Sequence, residues 1–244
     1  MDREMRKMTK ESYPACARCA TIVCSPSIRV DETPPSFDEA PVFCPMRLYP
    51  ELVETTLKEY DRPEVRGFAY QASVQEFECY ERTEDGLRTR NSRIEELIQF
   101  ANRCDYHRLG IAFCSGLRNE ARMLTDILEN KGFEVSSVCC KVGGTPKERI
   151  GIRPEQKIRE SEKWESMCNP IVQAEILNFK KVDLAIMLGL CIGHDTLFIK
   201  YCRVPITVLA VKDRVTGHNP LAALYLSRSP YYGRLMAKQK KDSE

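Results

Sequence analysis

Between Val182 and Leu190 the chain reads VDLAIMLGL, a nearly unbroken apolar run that constrains the fold more than any other stretch. A strand that is apolar on both faces must be covered on both, the situation of an inner strand in a parallel α/β sheet. The run is too short to span a bilayer. At its end Gly189 allows a turn, Cys191 follows, and Gly193, His194 and Asp195 lead into helical spacing at Leu197, Phe198 and Tyr201. A thiol therefore stands where a strand hands over to a helix. In open α/β sheets ligands bind at this carboxyl edge, because loops converge there and helix N-termini offer free N–H groups.

Strand and helix alternate from Leu109 onward. Leu109 to Phe113 reads as a strand ending at Cys114. Ser115 and Gly116 then turn the chain into a helix through Met123, Leu124, Ile127 and Leu128, which Gly132 stops. Phe133 to Val138 is a second strand, ending in Cys139 and Cys140. After a long excursion from Thr145 to Met167, Cys168, Asn169 and Pro170 open another helix, with Asn169 suited to the N-cap and Pro170 to the first turn. A fourth strand runs Ile206 to Val211, before Lys212, Asp213 and Arg214, and His218-Asn219-Pro220 repeats the Asn-Pro helix start. The excursion holds six basic and five acidic residues and reads as a solvated or lid-like loop rather than a binding patch. Right-handed crossovers make this a doubly wound, mainly parallel four-stranded α/β sheet with order 2-1-3-4.

Ahead of the sheet, Met46 to about Tyr80 has helical spacing, and Ser92 with Glu95 forms a capping box for a further helix. The expected division is a cysteine-rich metal-binding extension over 1–46, a helical segment packed on the sheet over 47–106, and the α/β domain over 107–244. Cys79 is expected to pack as a small hydrophobe.

Twelve cysteines set against three histidines make any metal site here rich in thiolates, a donor set that favours zinc, copper(I) or iron–sulfur clusters. Met1 to Lys10 is charged and lacks the apolar core of a signal peptide, so the expected compartment is the reducing cytoplasm, where clustered thiols serve as metal ligands or catalytic groups. The 37 basic and 35 acidic residues nearly balance and point to neither nucleic acid nor a membrane surface.

The first cluster is Cys16-x2-Cys19, then Cys24 and, after nineteen residues, Cys44. Pro14, Pro26, Pro34, Pro35, Pro41 and Pro45 surround it and exclude regular helix or central strand. A segment without a core of its own is ordered by a tetrahedral metal on four thiolates, with zinc preferred over an iron–sulfur cluster. Reduced cysteines in a loose arm are the plainer reading.

The second cluster follows from the topology. With strands one and three adjacent, Cys114 and Cys191 face each other, Cys139 or Cys140 arrives from the next strand, and Cys168 stands at a helix start that reaches the same edge. Gathered thiolates repel unless a cation neutralises them, which predicts a second centre on Cys114, Cys140, Cys191 and Cys168 or His194. A [4Fe-4S] cluster on three of these thiolates keeps one iron open. Lys141, Lys212 and Arg214 would hold a small anionic ligand, and Cys191, His194, Asp195 and His218 are candidates for catalysis or proton movement. An activated cysteine nucleophile and plain packing are the competing readings.

Five blocks in order resemble the domain-of-unknown-function family 1847. They are Cys16-x2-Cys19-x4-Cys24; Gly110-Ile111-Ala112-Phe113-Cys114 with Gly116-Leu117 and Glu120-Ala121; Cys168-Asn169-Pro170 with Gln173-Ala174-Glu175; Gly189-Leu190-Cys191 with Gly193-His194-Asp195; and Lys212-Asp213-Arg214 with Gly217-His218-Asn219-Pro220. The resemblance implies a bacterial or archaeal cytosolic protein that binds metal, and supplies no reaction. Residues and resemblance together predict a cytosolic metal-binding protein with a structural zinc on four cysteines and a cysteine-lined crevice for a second metal or iron–sulfur cluster. The alternative is an iron–sulfur or thiolate-dependent lyase, desulfidase or reductase acting on a small anion.

Overall fold

The computed structural model describes residues 13–20, 23–24, 36–159 and 163–237. Met1 to Lys10, Pro26, Pro34, Pro35 and the charged tail from Lys238 lie outside the described residues. The chain divides into two compact units, Met1–Tyr70 and Gln71–Glu244.

In the first unit Cys16–Arg18 forms a single 3-10 turn, closed by the Cys19 N–H on the Cys16 carbonyl at 3.0 Å. Two short helices follow, α1 (Pro45–Leu48) and α2 (Pro50–Leu57), each with proline in its first turn, where a missing N–H costs nothing. Cys44 is the N-cap of α1. Helix α3 (Pro63–Glu78) comes next.

An antiparallel hairpin then interrupts the expected helical segment. Strand β1 (Tyr80–Thr83) pairs with β2 (Gly86–Thr89). Asp85-Gly86 closes the turn with Gly86 at φ +117°, a dipeptide that signals hairpins, whereas the flanking residues are too uniformly exposed to show an alternating pattern. Cys79, just before the hairpin, is no simple hydrophobe: its thiol reaches the Gln75 carbonyl at 3.1 Å and the Glu96 carboxylate at 3.2 Å. Helix α4 (Arg93–Arg103) begins at the expected capping box, Ser92 and Glu95 each bonding the other's backbone N–H.

The remaining elements alternate: β3 (Arg108–Phe113), α5 (Arg118–Asn130), β4 (Glu134–Cys139), α6 (Pro170–Phe179), β5 (Leu184–Leu188), α7 (His194–Tyr201), β6 (Ile206–Ala210) and α8 (Pro220–Tyr225). The four later strands form one parallel sheet, ordered β4-β3-β5-β6. This is the α/β class the apolar run demanded.

Strand periodicity sorts the core into two layers. Leu109 and Ile111 with Leu184, Ile186 and Leu188 face α4 and α5, packing on Leu97, Ala101, Leu124 and Leu128. Ala112, Ala185 and Met187 face the opposite way, toward Ala174 and Leu177 of α6 and Phe198 of α7. The second layer uses small residues because α6 lies close. A Cβ on Gly110 would sit 2.9 Å from Leu177. Asn169 precedes α6 but makes no side-chain cap; its Nδ2 instead donates to the Val142 carbonyl at 3.0 Å and to Thr145 Oγ1 at 3.2 Å. Asn219 likewise makes no side-chain cap before α8.

The excursion after β4 is tied at its base. Pro146 and Ser166 form an antiparallel bridge, Lys147 pairs with Glu165, and the buried Lys157 ammonium donates to the Lys163 carbonyl at 2.9 Å and pairs with Glu148. Among the described residues no helix is long and apolar enough to cross a membrane.

Two glycines at positive φ offer a controlled comparison. Gly132 (φ +91°) has open space around a would-be Cβ, whereas at Gly189 (φ +65°) that atom would lie 2.1 Å from Leu117 Cδ1. Gly132→Ala should cost about 1–2 kcal/mol from backbone strain alone. Gly189→Ala should cost about 2–4 kcal/mol, because overpacking adds to the strain. Urea unfolding of both variants checks the order, and equal losses would refute the tight fit at Leu117.

Candidate functional site

The carboxyl edge of the sheet brings four cysteines to one rim. Phe113 is in register with Cys139 on one side and Leu188 on the other, so three strands end at the same height. The Cys114 N–H donates to the Leu188 carbonyl at 3.2 Å, the Cys140 N–H to the Phe113 carbonyl at 2.8 Å, and the Asn169 N–H to the Cys140 carbonyl at 2.7 Å. Each bond holds the backbone of a cysteine or of its immediate neighbour. Cys114 and Cys140 are buried, and Cys168 and Cys191 pack half-exposed against the same layer. Of the adjacent pair, Cys140 lies beside Cys114, and its sulfur accepts the Ser115 N–H at 3.3 Å.

Gln173, which the sequence places in a family block without a role, holds this edge together. It is fully buried at 0% exposure, and its Nε2 donates to the Val138 carbonyl at 2.7 Å and the Phe113 carbonyl at 3.2 Å, stitching α6 to the ends of β3 and β4. A signal does exist in the spacing: Pro170, Gln173, Ala174 and Leu177 share the inner face of α6, and a glutamine on such a face needs backbone partners.

The three thiols are neighbours and influence one another. The adjacent Cys140 sulfur and burial push Cys114 up to about 12. Cys114 favours a Cys140 thiolate, but Cys168 and burial outweigh this and leave Cys140 above the ordinary thiol range. Cys168 moves the other way: the neighbouring Cys140 thiol, with the Lys141 ammonium, brings it down to about 6 against the cost of burial. Cys191 lies close enough to oppose a charge there. Of the rim thiols, Cys168 has the surroundings that most favour a thiolate.

The expected cations are at the rim in different roles. Lys141 Nζ donates to the Ser166 carbonyl at 2.6 Å and touches Cys168. Arg214 Nη2 donates to the Cys191 sulfur at 3.1 Å. Lys212 reaches over Gly116, where a Cβ would stand 3.1 Å from its Nζ, and favours a Cys114 thiolate weakly. His194 opens α7, where burial and Lys141 push its pKa down; its Nδ1 is buried without a hydrogen-bond partner. Asp195 accepts the Thr196 N–H at 2.7 Å. His218 turns inward on its own loop, its Nδ1 accepting the Asp213 N–H at 3.1 Å.

Among the described residues no three His, Cys, Asp or Glu side chains already surround the position of an ion, either at the rim or around Cys16, Cys19, Cys24 and Cys44. The donor chemistry at the rim nonetheless fits a soft metal, since three neighbouring sulfurs pack in one layer. Cys104 and Cys202 stand at the C-terminal ends of α4 and α7 and take no part.

The neighbouring thiols predict selective chemistry. In reduced, chelator-treated protein, iodoacetamide should label Cys168 with a half-maximal rate near pH 6, while Cys114 stays unlabelled until strongly alkaline pH. Removing the neighbour in Cys140→Ala should move the Cys168 midpoint upward. Peptide mass spectrometry across pH checks this, and a Cys168 midpoint indifferent to Cys140 would refute the influence of the neighbouring thiol.

Comparison with known proteins adds kinship without an activity. The family described as Protein of unknown function (DUF1847) matches residues 44–209, which include Cys44, all four rim cysteines, Gln173 and His194. The chain is 53% identical over 136 residues to an uncharacterised protein of Methanocaldococcus jannaschii, MJ0455, covering 56% of this chain and 68% of that protein. No solved structure matches. With more than half of its length matched, the chain belongs to the DUF1847 family.

Proposed function

We propose that this chain is a thiolate-rich metal-binding protein whose rim takes a soft metal ion or an iron–sulfur cluster through Cys114, Cys140 and Cys168. The observation that carries this reading is the meeting of three neighbouring thiols, Cys114 after β3 and Cys140 and Cys168 at the two ends of the β4–α6 connection. Protonated thiols packed sulfur to sulfur gain little stability compared with apolar side chains of the same size, but they gain much as ligands once their protons leave. Gln173 and the strand-end hydrogen bonds supply the rigid support that ligand loops require. Three protein sulfurs leave one position free on zinc or on a [4Fe-4S] cluster. Lys141 and Arg214 favour an anion there, and a neutral His194 would accept a proton from it.

Cys16, Cys19, Cys24 and Cys44 are proposed as a separate structural zinc site. Its support is spacing, the tight Cys16–Arg18 turn, and the position of Cys44 at the start of α1. We take the reducing cytoplasm as the compartment in which free thiols persist.

A second reading rests on Cys168 alone. Its thiolate, beside Lys141, is the group that would act as nucleophile in a metal-independent enzyme acting on a small anion.

Anaerobic purification followed by metal analysis and visible spectroscopy separates these readings. The expected result is bound zinc or iron in wild type, with the rim share lost in Cys114→Ser and Cys168→Ser and retained in Cys16→Ser. Visible absorbance that disappears with the rim variants identifies an iron–sulfur cluster. Metal content unchanged by every rim substitution would sink the metal reading, and turnover surviving complete chelation would favour the nucleophile.

A further inference from the structure

The excursion after β4 leaves and rejoins the sheet through a narrow neck, and a cysteine stands on each arm of it. The arms are antiparallel where Pro146 bridges Ser166. The Lys147 N–H donates to the Glu165 carbonyl at 3.0 Å, the Met167 N–H to the Thr145 carbonyl at 2.8 Å and the Asn169 N–H to the Cys140 carbonyl at 2.7 Å. The Lys141 ammonium adds a bond to the Ser166 carbonyl at 2.6 Å, and the Asn169 amide one to the Val142 carbonyl at 3.0 Å. Cys168 therefore lies between two backbone bonds that both cross to the arm carrying Cys140. Chains joined in this way run about 5 Å apart, and a disulfide spans Cα atoms about 4.4–6.8 Å apart. The two sulfurs are neighbours, but they differ in access: Cys140 is buried at 3% exposure, whereas Cys168 is only half-buried.

We infer that Cys168 and Cys140 form an oxidation site for hydroperoxides, at which the outer thiol reacts first and the inner one closes a disulfide across the neck. The inference deepens the proposed rim site by giving its regulation, and for that consequence it rests on the metal reading. The Cys168 sulfur attacks the terminal peroxide oxygen. An S–O bond forms, the O–O bond breaks, and the remaining oxygen leaves as alcohol or water with the thiol proton. The Cys140 sulfur then attacks the resulting sulfenic acid. The S–S bond forms, the S–O bond breaks, and hydroxide leaves as water with the Cys140 proton. The peroxide gains two electrons, one from each sulfur, so no further reactant is needed. The disulfide withdraws two of the three proposed ligand sulfurs, and a metal left on Cys114 alone is lost. Because the arms are already bonded on both sides of Cys168, closing the link asks little of the backbone.

The test treats full-length, reduced, chelator-treated protein with an equimolar amount of hydrogen peroxide and maps the cysteines by peptide mass spectrometry. The expected product is a peptide pair joined through Cys140 and Cys168, two hydrogens lighter than the separate peptides and parted again by dithiothreitol. Cys139→Ser and Cys114→Ser should keep the link. Cys140→Ser should lose it and leave Cys168 as a sulfenic acid that dimedone traps. A wild-type product linked through a different rim pair, or Cys168 carried on to the sulfinic acid with Cys140 still a free thiol, would overturn the inference. In protein purified with its metal, the same treatment should release rim metal in proportion to the link formed, and metal retained by linked protein overturns the regulatory role. Rim metal in the untreated protein without a link after chelation and peroxide refutes the oxidation site alone. A link in protein that never carries rim metal refutes the metal reading alone.

Discussion

The structure depends on a short set of backbone hydrogen bonds at the carboxyl edge of the sheet. Cys114 to Leu188, Cys140 to Phe113 and Asn169 to Cys140 carry the parallel ladder one residue beyond the last regular pairs. A parallel register fixes the height at which each strand ends, and these extra bonds carry that registration into the two loops that follow β3 and β4. The side chains of Cys114, Cys140 and Cys168 meet because their backbones are already level. Gln173 strengthens the arrangement from the helix layer by occupying carbonyls of two strands at once.

Once the sulfurs are adjacent, electrostatics decides how they behave. Three thiolates in one layer would repel strongly, and the surroundings accordingly disfavour the charge on Cys114 and Cys140 and favour it on Cys168. Lys141 stands beside Cys168 on the favoured side. Cys191 is set apart by its bond to Arg214, which places it at the solvent side of the same edge.

Several elements are legible directly. The apolar run at Val182–Leu190 is an inner strand buried throughout its regular span, and the Ser92–Glu95 pair is a capping box. The nearness of Cys114, Cys140 and Cys168 is accessible because a strand end is a strong positional marker in an α/β chain. The hairpin at Tyr80–Thr89 escapes such reading because its residues are nearly all exposed and polar, leaving Asp85-Gly86 as the only cue. Asn169 has the credentials of a helix cap, yet its amide closes the loop at Val142 and Thr145, since a nearby carbonyl competes successfully for the same side chain. His218, a catalytic candidate by position, fastens its own turn through Nδ1.

By itself, the sequence determined the α/β class, the strand ends at which cysteines fall, and the thiol-rich donor set, because these follow from periodicity and residue identity along the chain. The tertiary structure alone decided that Cys140, and not Cys139, lies beside Cys114, and that of the rim thiols it is Cys168 whose surroundings favour the thiolate. Those outcomes depend on which side chains meet across separate loops, and on the burial and hydrogen bonding that the meeting imposes. A pKa is a property of neighbours in space, and no spacing along the chain contains it.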